Sequence, residues 1–213
     1  MTHRHEDMVF IVDDDRQIRD ALLLLFSSFD MHAVAFASAA EYMAYSRPDV
    51  PACLVLDVEL PDINGLELQR QLALEDHPHI VFITGHGDIP STVRAIKTGA
   101  VDFLTKPFSD ADLMRAVNAA LAQNLAARQE RSDTADLQQR LARLTPRERE
   151  VLPLVVSGLL NKQAAAELSI SEVTLQIHRG KIMQKMNAGS FAELVRMATA
   201  LELPITHSRR SRK

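Results

Sequence analysis

The segment VFIVDDD (residues 9–15) places four β-branched or aromatic residues directly before three carboxylates. Such a short apolar run is typical of a parallel strand that is buried on both faces. Three later runs have a similar character and also lead into a polar residue: residues 52–56 before Asp57, 80–83 before Thr84, and 100–104 before Lys106. Because parallel strands bring their carboxyl ends to one edge of a sheet, the sequence predicts that these polar side chains meet there.

Helical patterns separate these runs. Apolar residues recur at helical spacing after Asp15 and again between residues 113 and 125. Helix-capping spacings occur at two further places: Ser38 with Glu41, and Asn64 with Glu67. With residues 32–36 as the second strand, residues 1–125 are predicted to form a doubly wound, flavodoxin-like five-stranded parallel sheet with helices on both faces. Its expected strand order is two-one-three-four-five.

Residues 126–143 contain neither Gly nor Pro and are rich in Ala, Gln and Arg, which favours a helical linker. Leu137, Leu141 and Leu144 continue a sparse apolar spacing through it. Two interpretations stay open: the helix pairs with its copy in a dimer, or it is a solvated connector.

The last part of the chain is predicted to be a small all-α domain of four helices over residues 144–206, followed by a basic tail at 207–213. Thr145, Pro146 and Glu148 have the pattern of a capped helix start. A short helix at about 162–168, a tight turn and a longer helix at about 172–186 then give the arrangement of a helix-turn-helix.

Composition agrees with two domains in the 213 residues, an acidic first one and a basic second one. Residues 1–125 carry a net charge of −10 and residues 126–213 a net charge of +6, which suits a metal and a nucleic acid respectively. The single cysteine, Cys53, lies in an apolar run and is expected to be a buried hydrophobe. No apolar stretch approaches the ~18 residues that span a bilayer, so we expect a cytoplasmic protein without membrane contact.

The predicted cluster of polar side chains can carry phosphoryl-transfer chemistry. Asp57 is our candidate phosphoacceptor, because a carboxylate can attack a phosphoryl group to give an acyl phosphate. Asp13 and Asp14 are candidate ligands for Mg²⁺, which favours carboxylate oxygens and retains waters. Lys106 is expected to pair with the phosphoryl oxygens, and Thr84 to hydrogen-bond to one of them.

At these positions the chain resembles the receiver domain of bacterial two-component response regulators. The likeness extends to the flanking motifs: residues 60–62 with Asn64 and Gly65, residues 84–88, and residues 106–108. It implies that the backbone carbonyl of Glu59 joins Asp13, Asp14 and Asp57 around magnesium, that Thr84 and Phe103 form a switch pair, and that the Lys106–Pro107 bond is cis. It also implies that Glu59 and His86 lie where receivers tune the loss of the phosphoryl group.

The third helix of the second domain has two distinct faces. Leu175, His178, Ile182 and Met186 share the face that is predicted to be buried, with His178 as a packed core histidine. The opposite, groove-facing side is predicted to contact DNA through Val173, Gln176, Ile177 and Gly180, with Arg179 and Lys181 as flanking phosphate contacts. Thr174 is a further predicted DNA contact.

This part resembles the LuxR-type helix-turn-helix domain of the NarL/FixJ regulators. The matching residues are 144–152, Gly158 and Leu159, Asn161 and Lys162, Ile170 and Ser171 with Thr174, His178 and Arg179, Lys185 and Met186, and 192–195. The resemblance implies a non-enzymatic transcription factor that a sensor histidine kinase phosphorylates on Asp57. It would then dimerise and bind double-stranded DNA with two half-sites, with RNA polymerase as a further partner.

Two rival functions fit parts of the sequence. A strand-end Asp with magnesium and an acid two residues later, here Glu59, also serves phosphohydrolases of the haloacid dehalogenase type. The second rival binds DNA constitutively and uses the first domain only to dimerise. The basic tail, with Arg209, Arg210, Arg212 and Lys213, either adds nonspecific phosphate contacts or has no role.

Overall fold

The computed structural model describes residues 7–73, 77–85 and 89–204, and of residues 89–91 only the backbone. The chain divides into two compact units, Met1–Arg128 and Gln129–Lys213. The first contains a five-stranded parallel sheet in the order β2-β1-β3-β4-β5, which confirms the predicted fold and strand order. Its strands are β1 Met8–Val12, β2 His32–Phe36, β3 Ala52–Asp57, β4 His79–Thr84 and β5 Asp102–Thr105.

Helices cover both faces of this sheet. They are α1 Arg16–Ser28, α2 Ala39–Ala44, α3 Gly65–Leu72, α4 Ile89–Lys97 and α5 Asp110–Ala142. Alternate residues of β1 enter different cores: Phe10 and Val12 pack with α2 and α3, whereas Val9 and Ile11 pack with α1 and α5. This double burial explains why the strands have continuous apolar runs in place of alternating ones.

The fifth strand begins two residues later than the predicted start at residue 100. Ala100 instead closes the end of α4, because its N–H donates to the Ala95 carbonyl. Gly99 makes the reversal possible with a φ of 97°, a conformation that favours glycine. Pairing with β4 then starts only at Asp102, opposite Val81.

The second unit contains α6 Pro146–Val156, α7 Asn161–Glu167, α8 Glu172–Met186 and α9 Phe191–Ala200. The predicted capping box of α6 is present: Thr145 Oγ1 accepts from the Glu148 N–H, and Glu148 Oε2 accepts from the Thr145 N–H. Ser171 likewise caps α8 by accepting from the Thr174 N–H. The bounds of α8 match the predicted third helix.

The leucines of the predicted linker have a role that neither open interpretation anticipated. Leu137 and Leu141 lie in the last turns of α5 and pack on the core that α6, α7, α8 and α9 form. Arg140, between them, donates to the backbone carbonyl of Met186 at the end of α8. Across the described ranges, no helix combines the length and apolar character needed to cross a membrane.

Candidate metal centre and nucleic-acid interface

Three carboxylates meet at the carboxyl edge of the sheet. Asp13 and Asp14 follow β1, and Asp57 is the last residue of the neighbouring strand β3. Each of the three can present one oxygen within 4.8 Å of the other two. Asp13 and Asp57 are buried, whereas Asp14 is exposed. Two adjacent strands therefore deliver the acidic side chains to one place, as the sequence predicts.

Lys106 connects the two buried carboxylates. Its Nζ lies 2.7 Å from Asp13 Oδ2 and 2.7 Å from Asp57 Oδ2. The lysine follows β5, and its backbone N–H donates to the Thr84 carbonyl at 2.7 Å. The Lys106–Pro107 bond is cis, as the resemblance predicts. One ammonium group thus serves two carboxylates that come from different strands.

The charges of this cluster are incompletely balanced. Burial raises the pKa of Asp13, and the hydrogen bonds and charge of Lys106 only partly offset this effect. For Lys106, burial lowers the pKa, but the hydrogen bonds to Asp13 and Asp57 outweigh it, so its pKa is raised. The charged form of Lys106 is therefore more favourable than that of a free amine, whereas the ionised form of Asp13 is less favourable than that of a free carboxyl group. A divalent cation would supply the missing positive charge.

The other predicted residues of this site lie at or beside the ends of β3, β4 and β5. Thr84 ends β4 and is buried, and the Phe103 ring packs 6.0 Å from the Phe82 ring. The Glu59 N–H donates to Asp57 Oδ1 at 3.1 Å, which holds the Glu59 backbone beside the carboxylate. His86 lies outside the described residues.

Sequence reasoning missed two features that shape this site. A Cβ atom on Gly65 would lie 2.3 Å from the backbone oxygen of Asp57, so only glycine allows α3 to begin so close to this residue. Arg19 donates from Nη1 to the carbonyls of Asp13 and Asp14, at 2.7 and 2.8 Å. The asparagine–glycine pair at residues 64–65 could have indicated the first feature. Sequence offered no comparable indication of the second.

In the second unit, α8 exposes most of the predicted groove-facing side. The side chains of Val173 and Ile177 are 67% and 54% exposed, and residues four positions apart on a helix lie on the same face. Gln176, Gly180 and Lys181 are exposed as well. Leu175, Ile182 and Met186 are fully buried on the opposite face. The two predicted faces of the helix are therefore present.

Three predicted residues of α8 are less simply placed. The Thr174 hydroxyl forms a hydrogen bond with the Ser171 hydroxyl. Arg179 is half-buried, donates to Asn161 Oδ1 at 2.7 Å and stacks over the Phe191 ring. His178 is only half-buried, although its Nδ1 is enclosed and makes no hydrogen bond within the described part of the chain. The tail residues 207–213 lie outside the described residues.

A buried ion pair, which sequence reasoning also missed, anchors the end of this helix. Lys185 Nζ lies 2.6 Å from Oε2 of Glu148, whose side chain is only 2% exposed. Burial acts to raise the pKa of Glu148, but the hydrogen bonds from Lys185 and Thr145 together outweigh it and lower this pKa. The carboxylate of the α6 capping box is thus also a partner for α8.

Comparison with known proteins agrees with both halves of this description. Residues 9–118 match the family described as "Response regulator receiver domain", and residues 142–198 match "Bacterial regulatory proteins, luxR family". The chain belongs to the two-component response regulators that combine a receiver domain with a LuxR-type DNA-binding domain and regulate transcription.

Two named relatives and one solved structure match most of the chain. The chain is 49% identical over 202 residues to "Nodulation protein W" of Bradyrhizobium diazoefficiens, covering 94% of this chain and 89% of that protein. It is 42% identical over 194 residues to "Transcriptional regulatory protein FixJ" of Rhizobium meliloti, covering 90% and 95%. A solved structure of the response regulator StyR superposes with a TM-score of 0.79 at 46% identity, covering 91% of this chain and 98% of that one.

Proposed function

We propose that Asp57 is the phosphoacceptor of this regulator and that Asp13, Asp14, Asp57 and the backbone carbonyl of Glu59 hold Mg²⁺. The observation that carries the proposal is the convergence of Asp13 and Asp57 on Lys106 Nζ, with Asp14 close by. The donor set fits the ion, because magnesium prefers carboxylate and carbonyl oxygens and keeps several waters. When bound, magnesium supplies positive charge that offsets the negative charge of the incoming phosphoryl group.

The transfer itself is carried by this chain's own side chains. An Asp57 carboxylate oxygen attacks the phosphorus, a bond from oxygen to phosphorus forms, and the bond from phosphorus to the donor group breaks. Lys106 then exchanges its contacts with carboxylates for a contact with the phosphoryl oxygens. Thr84, at the end of the next strand, donates its hydroxyl to the same group. Thr84 and Phe103 are proposed to rearrange together as the switch pair.

The family and the two sites support a proposal for the partners. A sensor histidine kinase is the proposed phosphoryl donor, and phosphorylation favours a homodimer that binds DNA with two half-sites and acts on RNA polymerase. A coupling of about 1–3 kcal/mol between the two sites would be sufficient, since this is the usual allosteric range. The regulator is proposed to have no turnover of its own on free substrates, and to act in the cytoplasm.

On DNA, α8 is proposed to enter the major groove with Val173, Gln176, Ile177 and Gly180 toward the bases. Thr174, Arg179 and Lys181 are proposed to lie beside the phosphates. The exposure of Val173 and Ile177 supports this orientation, because an apolar side chain can contact a thymine methyl group.

Phosphorylation is tested with a small phosphodonor and magnesium, using intact-protein mass. The wild type should gain one phosphoryl group, and Asp57→Asn none. Asp15→Asn is the matched control: Asp15 adjoins the cluster, but its side chain caps α1 by accepting from the Gln17 N–H, which asparagine can also do. Equal labelling of Asp57→Asn would refute the assignment.

The metal set is tested separately by titrating magnesium in the absence of a phosphodonor. Asp14→Ala should weaken binding and slow phosphorylation, because it removes one carboxylate of the three. An unchanged titration curve would remove Asp14 from the metal site.

The two rival functions give different results in the same preparations. Multiple-turnover release of phosphate from phosphomonoesters would favour the phosphohydrolase. Equal DNA affinity with and without a phosphoryl mimic would favour constitutive binding.

The DNA interface is tested on a site found by in vitro selection, across a range of salt concentrations. Gln176→Ala should change the preferred sequence. If Gln176 makes a bidentate base contact, the free-energy difference between the preferred base and the others should fall by ~1–3 kcal/mol. Lys181→Ala should weaken binding to all DNA sequences alike. It should also reduce the slope of log affinity against log salt concentration by about one, as expected for the loss of one phosphate contact. If the two variants exchange these behaviours, the proposed orientation of α8 is wrong.

A further inference from the structure

Arg19 lies on the first turn of α1, beside the acidic loop, and its contacts are with backbone atoms. Its Nη1 donates to the carbonyl oxygens of both Asp13 and Asp14, at 2.7 and 2.8 Å. Consecutive carbonyls in an extended strand point in opposite directions, so a shared donor requires the chain to turn here. Arg19 therefore holds the bend that follows β1.

This contact differs from that of the other nearby cation. Lys106 binds carboxylate oxygens of Asp13 and Asp57, which are atoms that a metal would use. Arg19 brings a positive charge to the same loop but leaves every carboxylate oxygen available. Its charge acts against the mutual repulsion of the acidic side chains, while its geometry fixes the backbone from which two of them project.

Asp13 and Asp14 depend on Arg19 to different extents. The Asp13 carboxylate has its own anchors, since Oδ1 accepts from the Asp15 N–H and Oδ2 contacts Lys106. Asp14 is exposed, and the contact through which Arg19 holds it is at the backbone. Arg19 thus fixes the backbone from which the exposed Asp14 side chain projects.

We infer that Arg19 is a positioning residue for the metal site, which pre-organises Asp14 for a divalent cation. The inference rests on the proposed metal role of Asp13 and Asp14. Magnesium requires near-octahedral geometry at about 2.0–2.1 Å, so it is sensitive to small displacements of a ligand. Groups that orient ligands without touching the metal typically change affinity by about 10–100-fold.

The test is a magnesium titration of the full chain by calorimetry, without a phosphodonor. Arg19→Met keeps the length of the side chain and removes its donors and charge, and we expect its dissociation constant to rise about tenfold. Arg19→Lys retains the charge and should fall between the wild type and Arg19→Met. Arg16→Met is the matched control, because Arg16 occupies the same turn of α1 and pairs with the exposed Asp20; its affinity should equal that of the wild type.

A second measurement separates positioning from a general loss of structure. With saturating magnesium, Arg19→Met should be phosphorylated by a small phosphodonor nearly as fast as the wild type, because Arg19 touches no reacting atom. Urea unfolding followed by the fluorescence of Tyr42 and Tyr45, the only two tyrosines and both in the first unit, reports whether the fold is intact. If Arg19→Met is too unstable, the magnesium affinity of Arg19→Lys decides between a weakened and an unchanged metal site.

Affinity within twofold of the wild type for a folded Arg19→Met would overturn the inference; if that variant does not fold, affinity of Arg19→Lys equal to that of the wild type would do so. Slow phosphorylation of Arg19→Met that persists at saturating magnesium would also overturn it. Asp14→Ala distinguishes this failure from a failure of the proposed function. If Asp14→Ala weakens magnesium binding and Arg19→Met does not, only the role of Arg19 is lost; if neither does, the metal site itself is wrong.

Discussion

The two units each contain a close contact between a lysine and a buried carboxylate, but the charges are balanced differently. In the receiver, Lys106 is shared by Asp13 and Asp57, and the pKa of Asp13 is raised. In the DNA-binding unit, Lys185 serves Glu148, which also accepts from a backbone N–H, and the pKa of Glu148 is lowered. Distance alone therefore does not distinguish a functional ion pair from a structural one.

The difference lies in what each carboxylate would gain from another cation. The receiver has three carboxylates close together and one ammonium group between two of them, so a divalent ion would relieve a deficit. Glu148 Oε2 already contacts a cation and accepts from a backbone N–H, and these contacts join the start of α6 to the end of α8. Incomplete compensation indicates a site for a ligand, and complete compensation indicates a structural link.

The largest effect is expected from Lys185→Met. It leaves Glu148 buried without its cation, and we expect the second unit to lose about 3 kcal/mol, the low end of the range for a broken buried pair. Urea unfolding followed through the amide NMR signals of each unit measures this loss. A change below about 0.5 kcal/mol, the level of an ordinary surface substitution, would show that the pair is not structural.

A smaller loss is expected from Lys106→Met when metal is absent. We expect about 2 kcal/mol in the first unit, less than for a typical buried pair because the pKa of Asp13 is raised and its ionised form therefore contributes less to stability. Magnesium should recover more stability in this variant than in the wild type, since the lysine no longer contacts the carboxylate oxygens. The same addition should not rescue Lys185→Met, and rescue of both variants would remove the distinction between the two pairs.

Neutralising the carboxylates should give changes of opposite sign. Glu148→Gln should destabilise the second unit by about 1–2 kcal/mol, because it weakens hydrogen bonds made to a charged group. Asp13→Asn, measured without magnesium, should stabilise the first unit slightly. It replaces a carboxyl group whose pKa is raised, and whose ionised form the fold therefore disfavours, with a neutral amide. Loss of stability in both variants would mean that Asp13 is as well compensated as Glu148.

The smallest effects are expected in the dependence of stability on pH. The lowered pKa of Glu148 contributes stability above the ordinary glutamate value, and this is lost as the pH falls through the lowered value. The raised pKa of Asp13 acts the other way: without metal, stability falls as the pH rises from the ordinary aspartate value to the raised one. Comparing each unit with its Glu148→Gln or Asp13→Asn variant isolates the two contributions.

Sequence reasoning was most successful where structure depends on neighbours along the chain. The capping box of Thr145 and Glu148 and the bounds of α8 follow from local spacing. The apolar runs that precede Asp13, Asp57 and Thr84 correspond to β1, β3 and β4, and their parallel packing accounts for the acidic cluster. The predicted start of β5 at residue 100 was wrong. Ala100 is apolar and buried, but it packs against the end of α4, and an apolar residue gives the same signal in the sequence whether it lies there or in a strand.

The sequence by itself determined the two folds, the family and the set of side chains at the edge of the sheet, because periodicity, capping and motif order are properties of adjacent residues. Only the tertiary structure decided which charges are compensated. Glu148 and Lys185 are 37 positions apart, and Lys106 is 49 positions from Asp57. Burial and the number of partners set the pKa of each group, and both depend on which distant segments pack together.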